Sequence, residues 1–372
     1  MNTPTLKKKS ILLPAFLIFF IVHTNQMGVG IAGVQRVIFF ESKQDAWISI
    51  LVSYIGMTVI IFSICYILRS YKDKDLFDIH VNLFGKFFGN VLNMLYILYI
   101  LAALLSIIIG YTEIVQAWIF PDMKSWIIST FILILTIYGV YGGIRTIAGV
   151  SFITFFLAIW LVLLIYEPIR YMDWTNFLPI LEASPKDILK GAYKTSFTVL
   201  GLEILFFVYP YIRNKDKVHF FAQIAVFGSF FLILLLTIVA IGYYSGEQLE
   251  KTIWATLSLF KIIQFPNLER FEFFAVSMWL VIILPNTLFM MWAATRGLKK
   301  IFGIKQRRLV AIVSIMMIGL SLIFNRRVEN NLYVDYVGVV GFWLVFVYTL
   351  LLFLVVVIRN KIVSRRNTEN AS

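Results

Sequence analysis

Apolar runs about as long as a bilayer is thick recur along this chain, separated by short charged segments. A bilayer span needs about 20 mostly apolar residues. Ten stretches qualify: 11–38, 46–68, 90–119, 125–140, 146–166, 188–211, 218–243, 270–295, 308–325 and 333–358. Two connections also carry a pattern. Residues 75–89 (DLFDIHVNLFGKFFG) alternate apolar and polar positions at helical spacing. That predicts a helix lying along the cytoplasmic interface or, more simply, an extended start to the third span. Residues 247–263 predict a short helix on the other side, carrying Trp254 and Phe260 toward the membrane.

Inside two of the spans the apolar pattern fails. The first breaks into His23-Thr24-Asn25-Gln26, followed by Met27-Gly28-Val29-Gly30, before apolar character resumes. Four polar side chains in a row are costly in hydrocarbon unless they face protein or water. Nearby glycines ease unwinding, and unwound backbone survives at that depth only where it lines a cavity. The sixth span repeats the anomaly with Lys194-Thr195-Ser196-Phe197-Thr198-Val199-Leu200-Gly201-Leu202-Glu203. Its glycine falls about 19 Å along the helix, near mid-bilayer.

These two spans open successive groups of five and run in opposite directions. Glycine-interrupted helices at matching positions of two halves point to an inverted-repeat transporter site. The expected fold is therefore all-α and integral to the membrane, with ten transmembrane helices in a 5+5 inverted repeat and broken first and sixth helices. Half-helix N-termini offer N–H groups to a carboxylate, and free C-terminal carbonyls can hold a cation. That chemistry suits an amino acid, which carries both charges. The plainer alternative is that these Gly, Ser and Thr residues only let helices pack closely.

Composition agrees with the pattern. Of 372 residues 60% are apolar and 14% charged, with 35 Phe and 18 Tyr, and mean hydropathy is +0.87. A soluble domain is nearer 45–50% apolar and about 25% charged, so the excess must face lipid. The net charge of +13 does not indicate nucleic acid, because the positives sit in short clusters between spans. Counted by side, 21 of the 33 Lys and Arg fall with both tails and the even-numbered connections. That places both termini in the cytoplasm. The whole chain is expected to be one transmembrane domain: a tail at 1–10, repeats at 11–166 and 188–358, and a tail at 359–372. Lys7, Lys8 and Lys9 before an apolar run imitate a signal peptide, but no small-residue cleavage site follows. Cys65 is the only cysteine and there are three histidines, so no disulfide framework, metal spacing or catalytic constellation is expected, and no cofactor.

Some single residues stand out. His23 either carries a proton or simply bonds a neighbouring helix. Glu203 must protonate, meet ligand or pair with an Arg or Lys. Tyr96 and Tyr99 lie about one turn apart on the third span, with lipid facing as the bland alternative. Tyr111, Thr112 and Glu113 mark its outer end. Pro285-Asn286-Thr287 sets a helix breaker beside two hydrogen-bonding side chains, with Thr287 as the expected cavity residue. Glu269 and Arg270 are expected to pair elsewhere and hold the outer loops. The expected binding set is Asn25, Gln26, Gly28, Gly30, Tyr96, Val199, Gly201, Glu203 and Thr287.

Several motifs carry a resemblance. Asn25 to Gly30, Phe84-Gly85-Lys86 with Gly89, Gly201-x-Glu203 with Pro210, and Glu269-Arg270-Phe271-Glu272 with Trp279 are similar to the B-subunits of spore nutrient germinant receptors. These are the endospore germination permeases of the amino acid–polyamine–organocation superfamily. The resemblance runs over roughly residues 10–360. It implies a leucine-transporter-like fold with a ligand site among the first, third, sixth and eighth helices. It also implies a membrane-anchored A-subunit and a lipoprotein C-subunit as partners, a nutrient germinant as ligand and the spore inner membrane as location. No sodium site is evident, so a receptor and a proton-driven amino acid permease both remain open.

Overall fold

The computed structural model describes residues 12–263, 270–324 and 326–369. Among them there is no strand; the one β contact is a parallel bridge between Leu13 and Ile212. Leu13 N–H donates to the Tyr211 carbonyl at 2.7 Å, and Arg213 N–H donates back to the Leu13 carbonyl at 2.9 Å.

The first helix is in two pieces. Leu17–Gln26 stops at Met27, a one-turn 3-10 segment follows at Val29–Ala32, and the helix resumes at Val34–Ser42. The second helix, Ala46–Tyr71, follows almost at once. Leu76–Trp118 is one long element bent at Gly85, where φ is +76° and ψ 173°. Only glycine adopts that backbone readily, so residues 75–89 form a short leg folded against the third span and then its beginning. The part beyond Gly85 is the extended start of the third span. Asp75 starts the leg by accepting from Asp78 N–H. It is buried, with Lys300 Nζ at 2.5 Å and Arg296 Nε at 3.6 Å, while Lys300 also reaches Asp78 at 2.8 Å.

Ser125–Tyr141 and Ile144–Leu163 come next. The long connection that follows is pinned by buried Asp45, whose carboxylate accepts from Leu181 N–H (2.8 Å) and Ala183 N–H (2.9 Å). Ser184 caps the sixth helix and Pro185 supplies its first turn, a residue with no N–H to waste there. That helix is also split, into Pro185–Thr198 and Ile204–Val208. Val218–Tyr243 leads to a capping box, Ser245 with Gln248, and to the short helices Gly246–Lys251 and Ala255–Leu259. Phe271–Phe302 runs continuously through Pro285. Gln306–Ser321 and Arg327–Phe342 follow, and a π turn at Trp343–Val347 leads into Tyr348–Glu369.

Among the described residues six helices are long and apolar enough to cross a membrane, with mean hydropathy between 2.0 and 2.9. Their outward side chains are large and apolar: Phe131 is 64% exposed and Ile315 72%. Exposure on this scale is tolerated only against lipid, so the chain is a multi-pass membrane protein. At the centre, Leu76–Trp118 crosses Phe271–Phe302, and Leu17–Gln26 sits between Ile144–Leu163 and Val218–Tyr243.

Candidate functional site

The two helix breaks touch each other. At the end of Leu17–Gln26, Thr24 Oγ1 and Asn25 Nδ2 bond back to the Phe20 and Ile21 carbonyls at 2.7 and 2.9 Å. Such bonds compete with the regular ladder and favour ending a helix. Gln26 Nε2 reaches across to the carbonyl of Val199 at 3.2 Å, satisfying an orphan acceptor at the end of Pro185–Thr198. Gly201 has φ +116°, and a Cβ placed there would lie 2.6 Å from the Asn25 carbonyl oxygen. Only glycine permits this approach. Glu203 closes the break: its carboxylate accepts from Gly201 N–H at 2.8 Å and from the Tyr99 hydroxyl at 3.1 Å.

Beside the breaks lies a cavity of about 550 Å³, running toward the end of the molecule that carries Glu113, Trp254 and Arg327. Of the expected binding set, Asn25, Gln26, Gly28 and Gly30 line it. Val199, Gly201 and Glu203 lie in the wall behind it, holding the break's shape. Tyr96 and Thr287 are elsewhere. Tyr96 is buried against Phe207 and His80; Tyr99 takes the cavity position. Thr287 donates to the Leu284 carbonyl and accepts from Thr136 at 3.0 Å; its neighbour Asn286 faces the cavity. Neither tyrosine faces lipid. Glu203 has no Arg or Lys partner among the described residues; a hydroxyl and a backbone N–H serve instead. His23 bonds Ser229 Oγ at 3.0 Å on the side away from the cavity.

Sequence reading did not single out Lys194, Phe197, Thr198, Arg327 or Asp335, which also line the space. Spacing held one clue: 194, 197, 198 and 201 share a helix face. Trp254, which the sequence places on a short outer segment carried toward the membrane, borders the cavity, with the Arg327 guanidinium 4.9 Å over its ring. Arg327 also pairs with Glu113 at 2.8 Å. Arg36 donates to the Glu250 carbonyl at 2.6 Å. Arg270 pairs locally with Glu272 at 3.1 Å; Glu269 lies outside the described residues.

The chemistry of the wall is two-ended. Asn25 Oδ1, Gln26 Oε1 and Asn286 Oδ1 are buried acceptors without a partner among the described residues. Unmet buried acceptors favour a ligand that brings donors. Lys194, half-buried with its Nζ 5.4 Å from the Phe197 ring, has no acidic partner among the described residues. It can meet an anionic group.

The comparisons agree with this architecture. In fold the chain is similar to a Na⁺-coupled sialic acid symporter solved in its substrate-bound outward-open state, with a TM-score of 0.65 at 10% identity, covering 90% of this chain and 78% of that one. In sequence it is 35% identical to spore germination protein GerQB of Bacillus cereus over 340 residues, 91% of this chain and 94% of that one. It is 22% identical to spore germination protein A2 of Bacillus subtilis (strain 168) over 351 residues, 93% and 95% of the two chains. The family model Spore_permease, described as spore germination protein, matches residues 12–331. This chain belongs to that family of spore germination permeases.

Proposed function

We propose that this chain is the membrane subunit of a spore germination receptor, binding a small nutrient in the cavity beside the two helix breaks and signalling its presence. The nutrient is amino-acid-like. Its ammonium group meets the amide oxygens of Asn25, Gln26 and Asn286, and its carboxylate meets Lys194. The observation that carries this reading is the contact between the breaks, Gln26 on Val199 and Gly201 on Asn25, directly beside the cavity. Ligand that settles there touches both halves of the chain and favours one arrangement of them over another. A receptor needs only such a difference in affinity between two states.

The rest of the reading follows from the sequence. Ten helices cross the membrane as inverted repeats at 11–166 and 188–358, both termini are cytoplasmic, and the subunit works with an A-subunit and a lipoprotein C-subunit in the spore inner membrane. Ligand contacts fall to Asn25, Gln26, Gly28, Gly30, Lys194 and Asn286, while Val199, Gly201 and Glu203 hold the shape of the break and Tyr96 and Thr287 support the helices around it. A second reading, a proton-coupled amino acid permease, draws on the fold it shares with a symporter.

Germination of spores carrying Lys194→Met, measured against a panel of amino acids, tests the site. The nutrient concentration for half-maximal response should rise about ten-fold or more, the equivalent of one charge-assisted hydrogen bond. An unchanged response at normal abundance removes Lys194 from the site. Proton-driven accumulation of labelled amino acid by vesicles holding this chain alone would favour the permease.

A further inference from the structure

The first helix break has two sides. Asn25, Gln26, Gly28 and Gly30 face the polar cavity, whereas His23, Thr24, Met27 and Ile31 face a separate pocket of about 300 Å³. That pocket lies between the first, fifth, seventh and eighth helices and is walled almost entirely by carbon. At its edge Ile159 is 45% and Phe231 56% exposed, so it opens toward lipid. Its size is at the lower end for small-molecule sites, roughly 300–1,000 Å³.

Most polar groups in its wall are already engaged. His23 Nδ1 bonds Ser229, and its ring stacks on Phe19 at 5.7 Å. Thr154 Oγ1 donates to the Val281 carbonyl and Thr256 Oγ1 to that of Ile31. Trp279 differs. Its side chain is buried, 3% exposed, and its Nε1–H has no acceptor among the described residues. It lies about 12 Å along its helix from Phe271. Phospholipid tails offer no acceptor at that depth, since their ester oxygens stay near the interface.

We infer that this pocket is a second binding site, taking a free amphiphile with an apolar chain and one acceptor oxygen that arrives from the bilayer, and that its occupant restrains bending of the first helix at Met27–Gly28. The acceptor meets Trp279 Nε1–H. The chain fills the space between Leu17–Gln26 and the fifth and seventh helices, against Met27 and Ile31. Because the same break borders the nutrient cavity, occupancy raises the nutrient concentration needed for a response. Binding itself does not depend on the nutrient reading; the shift in response does.

The full chain in phospholipid nanodiscs is photolabelled with decanoic acid bearing an aliphatic diazirine. Saturable labelling is expected at 154–165 and 228–236, competed by unmodified decanoic acid. Trp279→Phe should lower it about five-fold, the contribution of a hydrogen bond near 1 kcal/mol. Gly228→Leu should lower it as well: a Cβ there sits 3.6 Å from His23, an ordinary contact, so the side chain enters the pocket without clashing at its root. Even labelling of every lipid-facing helix, or labelling that neither substitution changes, means adventitious partition only and overturns the site. Equal labelling of the same residues by a phosphatidylcholine with the diazirine in its acyl chain assigns the pocket to bulk lipid and also overturns it. In spores, decanoic acid should raise the half-maximal nutrient concentration in the parent and leave the Gly228→Leu strain unmoved; identical shifts in both overturn the coupling.

Discussion

Gly201→Ala concentrates the argument into one methyl group. The added Cβ meets two separate penalties. At φ +116° an L-residue is strained, by about 1–3 kcal/mol. The new carbon also stands 2.6 Å from the Asn25 carbonyl oxygen and 2.9 Å from its carbon. Both are backbone atoms, so no side chain can swing aside, and overpacking of this kind costs about 1–3 kcal/mol. Together the two effects come to roughly 2–6 kcal/mol. Moving Asn25 also moves Gln26, whose bond to Val199 ties the breaks together. If the penalty falls on binding, the half-maximal nutrient concentration rises at least about thirty-fold; if it falls on folding, membrane abundance drops instead. Spore germination curves alongside quantitative immunoblots separate the two. Gly56→Ala is the control, since the nearest atom to its Cβ is Phe346 Cε1 at 3.8 Å. Gly201→Ala spores with parental abundance and a parental curve would refute the close approach of the two breaks.

Other outcomes follow from the same geometry. In Glu203→Gln the amide nitrogen must face either Gly201 N–H or the Tyr99 hydroxyl, donor against donor for the first; the expected penalty of about 1–3 kcal/mol should appear as a shifted nutrient curve, and a parental curve would contradict it. Lys300→Met leaves the buried Asp75 carboxylate with Arg296 as its remaining cation and the Asp78 N–H as its donor, which should lower abundance and thermal stability by about 1–3 kcal/mol while sparing nutrient selectivity; a selectivity change at full abundance would count against this. Reporter fusions after Glu182 and after Lys300 should report outside and inside respectively, and one shared compartment would sink the ten-span topology.

The helix breaks were legible because a membrane makes them conspicuous: four polar residues beside glycines have few places to go in hydrocarbon. What faces the cavity was less legible, because a one-dimensional pattern does not fix how a buried helix is rotated. Asn286 and Thr287 differ by about 100° around the helix, and no charge or amphipathic stripe told them apart; packing of Thr287 on Thr136 decided it. Tyr96 and Tyr99 are about 60° apart, and the Phe207 ring claims Tyr96. Of the alternatives open to Glu203, a cationic partner is not the one found among the described residues, because a strained glycine offers its N–H two residues away. Lys194 and the pair Arg327 and Asp335, about two turns apart on one later helix, come to line one cavity only once the helices are assembled.

The bridge between Leu13 and Ile212 yokes two levers. Leu17–Gln26 and Ile204–Val208 each end at a break on one side and are joined, a few residues beyond their other ends, by the paired bonds of Leu13 to Tyr211 and Arg213. Below the breaks, therefore, the two half-helices form a closed frame, hinged at Met27–Gly28 and at Val199–Gly201 and clasped at the far side. Neither arm can swing alone without opening the clasp. A displacement at either hinge reaches the other arm as tension along backbone bonds, with no intervening side chain to slip.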